Sequence, residues 1–172
     1  MSIELELEKM GENSVRASKD IRSLNERDKN NILKSIIVSL KKNKKNILDA
    51  NSLDISNSEN SLSNAMVDRL MLDDERFDGI LSSIENVISL EDPVGNKLYS
   101  NKRPNGMLVE RVSVPLGVIG IIYESRPHVT VDATVLCLKA GNSVILRGGS
   151  ECFNTNSEMV KSIQGALKEN SV

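Results

Sequence analysis

Aromatic residues are almost missing from this chain: two Phe, two Tyr and no Trp among 172 residues. Any core must therefore be aliphatic. Cysteine is equally scarce. Cys137 and Cys152 show neither CxxC spacing nor neighbouring histidine, which gives no reason to expect zinc or another metal and predicts a reduced, cytoplasmic protein. An excess of one charge is absent as well, with 22 Lys+Arg against 24 Asp+Glu and a net charge of −2. That balance leaves no electrostatic footprint for nucleic acid or a membrane surface. No apolar run approaches the length of a membrane span. The opening MSIELELEKMGE is acidic and lacks a continuous apolar region, which argues against a signal peptide. What remains, 39% hydrophobic and 27% charged residues, suits a soluble globular domain or part of a larger one.

The first half reads as helices. Leu7, Met10, Ser14, Ala17, Ile21 and Leu24 recur at steps of three and four, one face of a helix. Asn25 is placed to cap the next helix, whose stripe is Ile32, Leu33, Ile36, Ile37 and Leu40. The run KKNKK at 41–45 extends it as a solvated face. Residues 51–63, NSLDISNSENSLS, are polar and predict a loop mixed with a short helix. Asp73 or Asp74 caps a helix carrying Phe77, Ile80, Leu81, Ile84 and Ile88, which ends near EDPVG.

Periodicity then changes. KLYSNKRPNGMLVERVSV holds two strand-like runs around Asn105-Gly106, a hairpin signal, and the second run has no clean apolar face. It reads as a protruding ribbon. From Pro115 the pattern is βαβα. Residues 117–122 read as a strand buried on both faces, and 128–140 as a helix with Val131, Val135 and Leu138 on one side and Gly141 as its stop. Residues 143–147, SVILR, read as a second buried strand, and TNSE at 155–158 as a capping box opening a last helix. Two strands joined by a crossover helix should be parallel and right-handed. The expected fold class is therefore α/β: N-terminal helices at 1–97, a ribbon at 98–114, and at 115–172 the start of a parallel Rossmann-like sheet that is incomplete within this sequence.

Both strands end in ligand-type residues, the first in YESRP and the second in RGGS. In open α/β sheets, ligands bind beyond the carboxyl ends of the strands. Arg147 offers a fork of donors suited to phosphate or carboxylate, Gly148 and Gly149 let backbone pass close to a ligand, and Ser150 adds a hydroxyl. RGGS also reads as an ordinary turn, and Arg126 as a solvated side chain. His128 suits a capping or surface role, Cys137 a core position, and Cys152 a partly exposed bystander with no base beside it. The GxGxxG fingerprint is absent after either strand.

The run VPLGVIGIIYESRPHVTVDATVLCLKAGNSVILRGGSE at 114–151 resembles the gamma-glutamyl phosphate reductase (glutamate-5-semialdehyde dehydrogenase) family of the aldehyde dehydrogenase superfamily. So do DANSLDI, AMVDRLMLDDERFDGI and LEDPVGNK upstream. The resemblance implies reduction of L-glutamate 5-phosphate by NADPH to the 5-semialdehyde and phosphate, in proline biosynthesis. A cysteine thiolate would attack the acyl phosphate, phosphate would leave, and hydride would reduce the thioester. It further implies that Arg147 sits by the cofactor 2′-phosphate. Tyr123, Glu124, Ser125, Gly148, Gly149 and Ser150 would line the cofactor cleft. Ser125 falls at the oxyanion position of related dehydrogenases, and Arg126 is the candidate for the substrate.

Two departures stand out. His128 occupies a place where the family usually has Asn, and family members run to more than twice this length. The nucleophilic cysteine is expected beyond Val172, since neither Cys137 nor Cys152 takes its place. The chain thus reads as an N-terminal portion, with glutamate 5-phosphate as small-molecule partner. Its expected protein partner is either a second copy, a homo-oligomer paired through the ribbon, or a complementary C-terminal chain that completes the fold. The competing reading is a non-catalytic nucleotide-binding or subunit-interaction fragment.

Overall fold

The structure, a computed structural model, describes residues 2–58 and 62–172. Four helices come first: α1 (Ile3–Arg22), α2 (Glu26–Ser58), α3 (Asn64–Leu70) and α4 (Asp74–Ser89). A hairpin of β1 (Lys97–Lys102) and β2 (Leu108–Val112) follows. Then come β3 (Val118–Ile122), α5 (His128–Lys139), β4 (Ser143–Arg147), a short turn of 3-10 helix at Ser150–Cys152, and α6 (Phe153–Glu169).

The core is aliphatic, as the shortage of aromatics requires. Leu33, Ile36, Leu40 and Ile47 of α2 are fully buried against Phe77 and Ile84 of α4, Val131 and Val135 of α5, and Met159 of α6. Each such side chain contributes about 1.5–3 kcal/mol relative to exposure. The ribbon forms at the Asn-Gly signal: β1 and β2 pair antiparallel, and Gly106 takes φ +87°, a conformation that suits glycine. β3 and β4 pair in parallel, with Val118 opposite Ser143 and Ile122 opposite Arg147. Gly141, at φ +75°, ends α5 and turns the chain into β4. Among the described residues no helix is long and apolar enough to cross a membrane, and no group of three or more His, Cys, Asp or Glu is placed to hold a metal ion.

Four expectations are corrected. Residues 51–58 do not loop; they continue α2, a helix of 33 residues (59–61 lie outside the described residues). Two of the polar residues that argued for a loop, Asn51 and Asp54, are buried and bonded to distant partners. Asn51 donates to Leu70 O at 2.9 Å and accepts from Leu72 N–H at 2.8 Å, and Asp54 receives Asn154 and Thr155. For the same reason TNSE is not a capping box. α6 starts two residues earlier, at Phe153, and Thr155 is buried with its N–H and hydroxyl both given to Asp54 at 2.8 and 2.6 Å. β3 is not buried on both faces: Ile122 is 79% exposed, because among the described residues β4 is its one strand neighbour and part of its surface stays uncovered. Cys152, finally, is fully buried rather than partly exposed, folded under the turn that leads into α6.

Candidate functional site

The parallel pairing brings the two strand ends together. Ile122 and Arg147 are register partners, and the Tyr123 N–H continues the ladder by donating to Arg147 O at 3.1 Å. The segments Tyr123–Pro127 and Arg147–Cys152 therefore leave the sheet side by side.

Two sets of bonds tie these segments. The first is a chain of hydroxyl and amide groups. Tyr123 Oη lies 2.6 Å from Thr130 Oγ1, and Thr130 Oγ1 donates to Asn156 Oδ1 at 2.8 Å. Since a threonine hydroxyl has one proton, the tyrosine is the donor in the first contact. Asn156 Nδ2 in turn donates to Cys152 Sγ at 3.0 Å, and the thiol donates to Gly149 O at 3.4 Å. Burial pushes the Tyr123 phenol up, and the hydrogen bond to Thr130 opposes it only partly. Burial also pushes the Cys152 thiol up, reinforced by the Glu151 carboxylate. Cys152 is accordingly a protonated structural thiol. Cys137 is raised by burial too.

The second set centres on Glu151. Its Oε1 accepts both the Ser125 N–H at 2.6 Å and the Ser125 hydroxyl at 2.8 Å. Burial tends to raise this carboxyl. The backbone N–H groups of Glu151 and Ser125, the Ser125 hydroxyl and the nearby Arg147 outweigh it, so the carboxyl sits below the ordinary glutamate range. Ser125 is 3% exposed and holds φ +37°.

The paired glycines are explained by these contacts. A Cβ on Gly148 would run into the Asn156 amide and the Tyr123 ring, and one on Gly149 would run into the Glu151 carboxylate. Arg147 and Ser150 are exposed beyond the strand end. Two adjoining clefts of about 410 and 430 Å3, the first lined in part by Ser125, share Arg69 and Arg126 in their walls. Glu124 lines the first and His128 the second. The acids at the second cleft are engaged: Asp68 by Arg76 at 2.7 Å, Asp132 by the Ser83 hydroxyl at 2.9 Å. Arg76 also donates to the carbonyls of Asp68 and Met71.

All the residues singled out from sequence thus gather at one edge: Tyr123, Glu124, Ser125 and Arg126 from one segment, Arg147, Gly148, Gly149 and Ser150 from the other. Glu151, Thr130, Asn156 and Arg69 were not singled out. An acid two residues after a glycine pair was the one available signal for Glu151. The others are drawn in by tertiary contacts that no local pattern marks.

Helices followed by a ribbon and a parallel βαβα unit, with polar groups massed at the strand ends, define an aldehyde-dehydrogenase-like fold. A probable aldehyde dehydrogenase from Listeria monocytogenes superposes with a TM-score of 0.67 at 17% identity, over 96% of this chain and 34% of its own. Closer in sequence, this chain is homologous to the N-terminal portion of the gamma-glutamyl phosphate reductases. It is 50% identical over 167 residues to the reductase of Shewanella woodyi, spanning 96% of this chain and 39% of that protein. The crystal structure of the Thermotoga maritima reductase gives a TM-score of 0.88 at 45% identity, over 91% of this chain and 38% of its own. That of Saccharomyces cerevisiae gives 0.90 at 31%, over 94% and 41%. No family model matches. The chain therefore spans about two fifths of the length of the relatives it matches.

Proposed function

We propose that this chain supplies the start of the cofactor domain of an NADPH-dependent reductase that converts L-glutamate 5-phosphate to L-glutamate 5-semialdehyde and phosphate. The observation that carries the reading is the convergence of the Tyr123–Arg126 and Arg147–Ser150 segments at the carboxyl edge of a parallel sheet, in a chain half identical to a protein of that name.

The donors present fit a nicotinamide cofactor with a 2′-phosphate. Arg147 is an exposed guanidinium at the end of β4, with the Ser150 hydroxyl close by in sequence and equally exposed. When bound, NADPH supplies the hydride. The chain's own residues bind and orient. Arg147 and Ser150 meet the phosphate, and Tyr123 and Glu124 line the cleft. Ser125 is held at the turn between them, where the family resemblance puts the oxyanion position. Arg126 and Arg69 have no carboxylate partner among the described residues, so the clefts they share present positive charge to the carboxylate and phosphate of the substrate. Neither buried cysteine serves as nucleophile, since both are driven toward the thiol.

Residues 98–114 form a subunit-pairing arm in this reading. Leu98, Met107 and Leu108 of the ribbon are each more than half exposed, which supports a surface built to be covered.

A chimera joining this chain to the remainder of the Thermotoga maritima reductase tests the proposal. Turnover of glutamate 5-phosphate with NADPH is expected. A folded chimera that binds NADPH yet leaves glutamate 5-phosphate unchanged would sink it.

A further inference from the structure

Ser125 sits in a backbone conformation that non-glycine residues seldom adopt, at φ +37°. Such a residue persists only where its surroundings over-determine it. Here both of its hydrogen-bond donors are held by one oxygen atom. Glu151 Oε1 accepts the Ser125 N–H at 2.6 Å and its hydroxyl at 2.8 Å, and at 3% exposure Ser125 has little access to water as a substitute. The glutamate reaches that point because Gly149 leaves the space its carboxylate fills. Glu151 belongs to the segment after β4, and Ser125 to the segment after β3. The bond thus joins the element that carries Arg147 to the element that carries Tyr123 and Arg126.

We infer that Glu151 is a positioning residue: its carboxylate latches the loop after β3 to the segment after β4, fixes Ser125 in the left-handed region, and so sets where Tyr123 and Arg126 face the cleft. The inference rests on the proposed function in taking that cleft as the ligand site. One consequence is chemical. While the latch is closed, both donors of Ser125 are spent on Glu151, so a ligand oxygen receives neither. Ser125 then serves the site through its backbone shape, and donors to a reacting oxygen come from elsewhere.

The test uses this chain with two readouts: hydrogen exchange of the Ser125 amide by NMR, and the dissociation constant for NADPH. In the parent, the Ser125 amide should be protected. Glu151→Ala should speed its exchange about tenfold or more, on the usual strength of bonds to a charged acceptor, and weaken NADPH by a similar factor. Glu151→Gln keeps an acceptor oxygen at the same reach and should restore most of both, a rescue that a general packing role for the side chain would not tie to one amide. Glycine takes positive φ unaided. On a Ser125→Gly background, Glu151→Ala should therefore weaken NADPH far less than it does in the parent, and this pair carries the test if Glu151→Ala alone fails to fold.

A Ser125 amide that stays protected in Glu151→Ala overturns the latch. An amide set free with NADPH affinity unchanged overturns the positioning role. A parent chain that binds no NADPH would instead sink the cofactor reading. Amide release in Glu151→Ala with rescue by Glu151→Gln would then still support the latch itself.

Discussion

Asp54 and Thr155 lie about a hundred residues apart in sequence and 2.6 Å apart in the fold, carboxylate oxygen to hydroxyl. The same carboxylate accepts the N–H groups of Asn154 and Thr155, at the start of α6. A side chain of α2 is therefore the N-terminal cap of α6, whose own preceding residue, Cys152, makes no side-chain cap. Asp54→Ala should destabilise the chain by about 2–3 kcal/mol, the size of a lost cap together with charge-assisted bonds, and Asp54→Asn by roughly half of that. The urea midpoint should fall at unchanged slope. A shift worth less than about 0.5 kcal/mol would mean that water replaces the carboxylate at little cost.

Lys29 makes a comparable link at the other end of α2. It is 1% exposed, and its ammonium is bonded to both oxygens of Asp92 at 2.7 and 3.0 Å. Removing one partner strands a buried charge. Asp92→Ala should cost about 3–5 kcal/mol, whereas Lys29→Met, which leaves only the more exposed carboxylate, should cost less. Equal losses for the two variants in thermal unfolding would contradict this asymmetry.

The two thiols lead to a pH prediction. Burial raises both in the folded chain. The folded state then holds protons that the unfolded state gives up above about 8.5, so the thiols' contribution to stability is complete below that pH and declines as pH rises through it. The melting temperature should drop on the alkaline side more in the parent than in a Cys137→Ala, Cys152→Ala double variant. A disulfide-exchange reagent at pH 8 should label neither thiol quickly until urea is added. A fast-reacting thiol in the folded chain would restore Cys152 as a candidate nucleophile.

Arg147 gives the prediction on cofactor choice. A charge-assisted contact to phosphate contributes about 1.5–3 kcal/mol, and the exposure of Arg147 puts it at the lower end, roughly tenfold in affinity. Arg147→Ala should weaken NADPH by about that factor and leave NADH nearly unchanged. Arg147→Lys should keep part of the preference, because an ammonium lacks the planar fork. Equal loss for both cofactors, with a lowered melting temperature, would make Arg147 a brace for the turn instead.

Much of this arrangement was legible in the sequence because its signals are local. Asn105-Gly106 fixes the hairpin, Asn25 and Asp73 cap helices through the N–H groups of Asp28 and Arg76, and Gly141 stops α5 where expected. The crossover rule gave the parallel pair, and the polar groups read at its strand ends lie side by side at one edge of the sheet. Two of the misreadings, the loop at 51–58 and the capping box at 155–158, share one cause. Asn51, Asp54 and Thr155 look like loop and cap residues by composition, yet they form a buried network whose members lie far apart along the chain. Local polarity cannot tell a solvated side chain from one that bonds a distant helix. Glu151 escaped for the same reason, because its partner lies 26 residues earlier.

The space beside Gly149 also bears on how this site tolerates change. A methyl group there would meet the carboxylate of Glu151, the free end of a flexible side chain and not a wall of backbone. The carboxylate can swing aside, so Gly149→Ala should fold and keep most of its stability. What it gives up is Glu151's hold on Ser125. A screen that ranks variants by solubility or melting temperature would pass this substitution as harmless, while in function it would behave as a hidden deletion of the glutamate next door. Positions 149 and 151 are therefore one unit for anyone redesigning this edge of the sheet, and a library that varies either one alone samples half of the relevant choices.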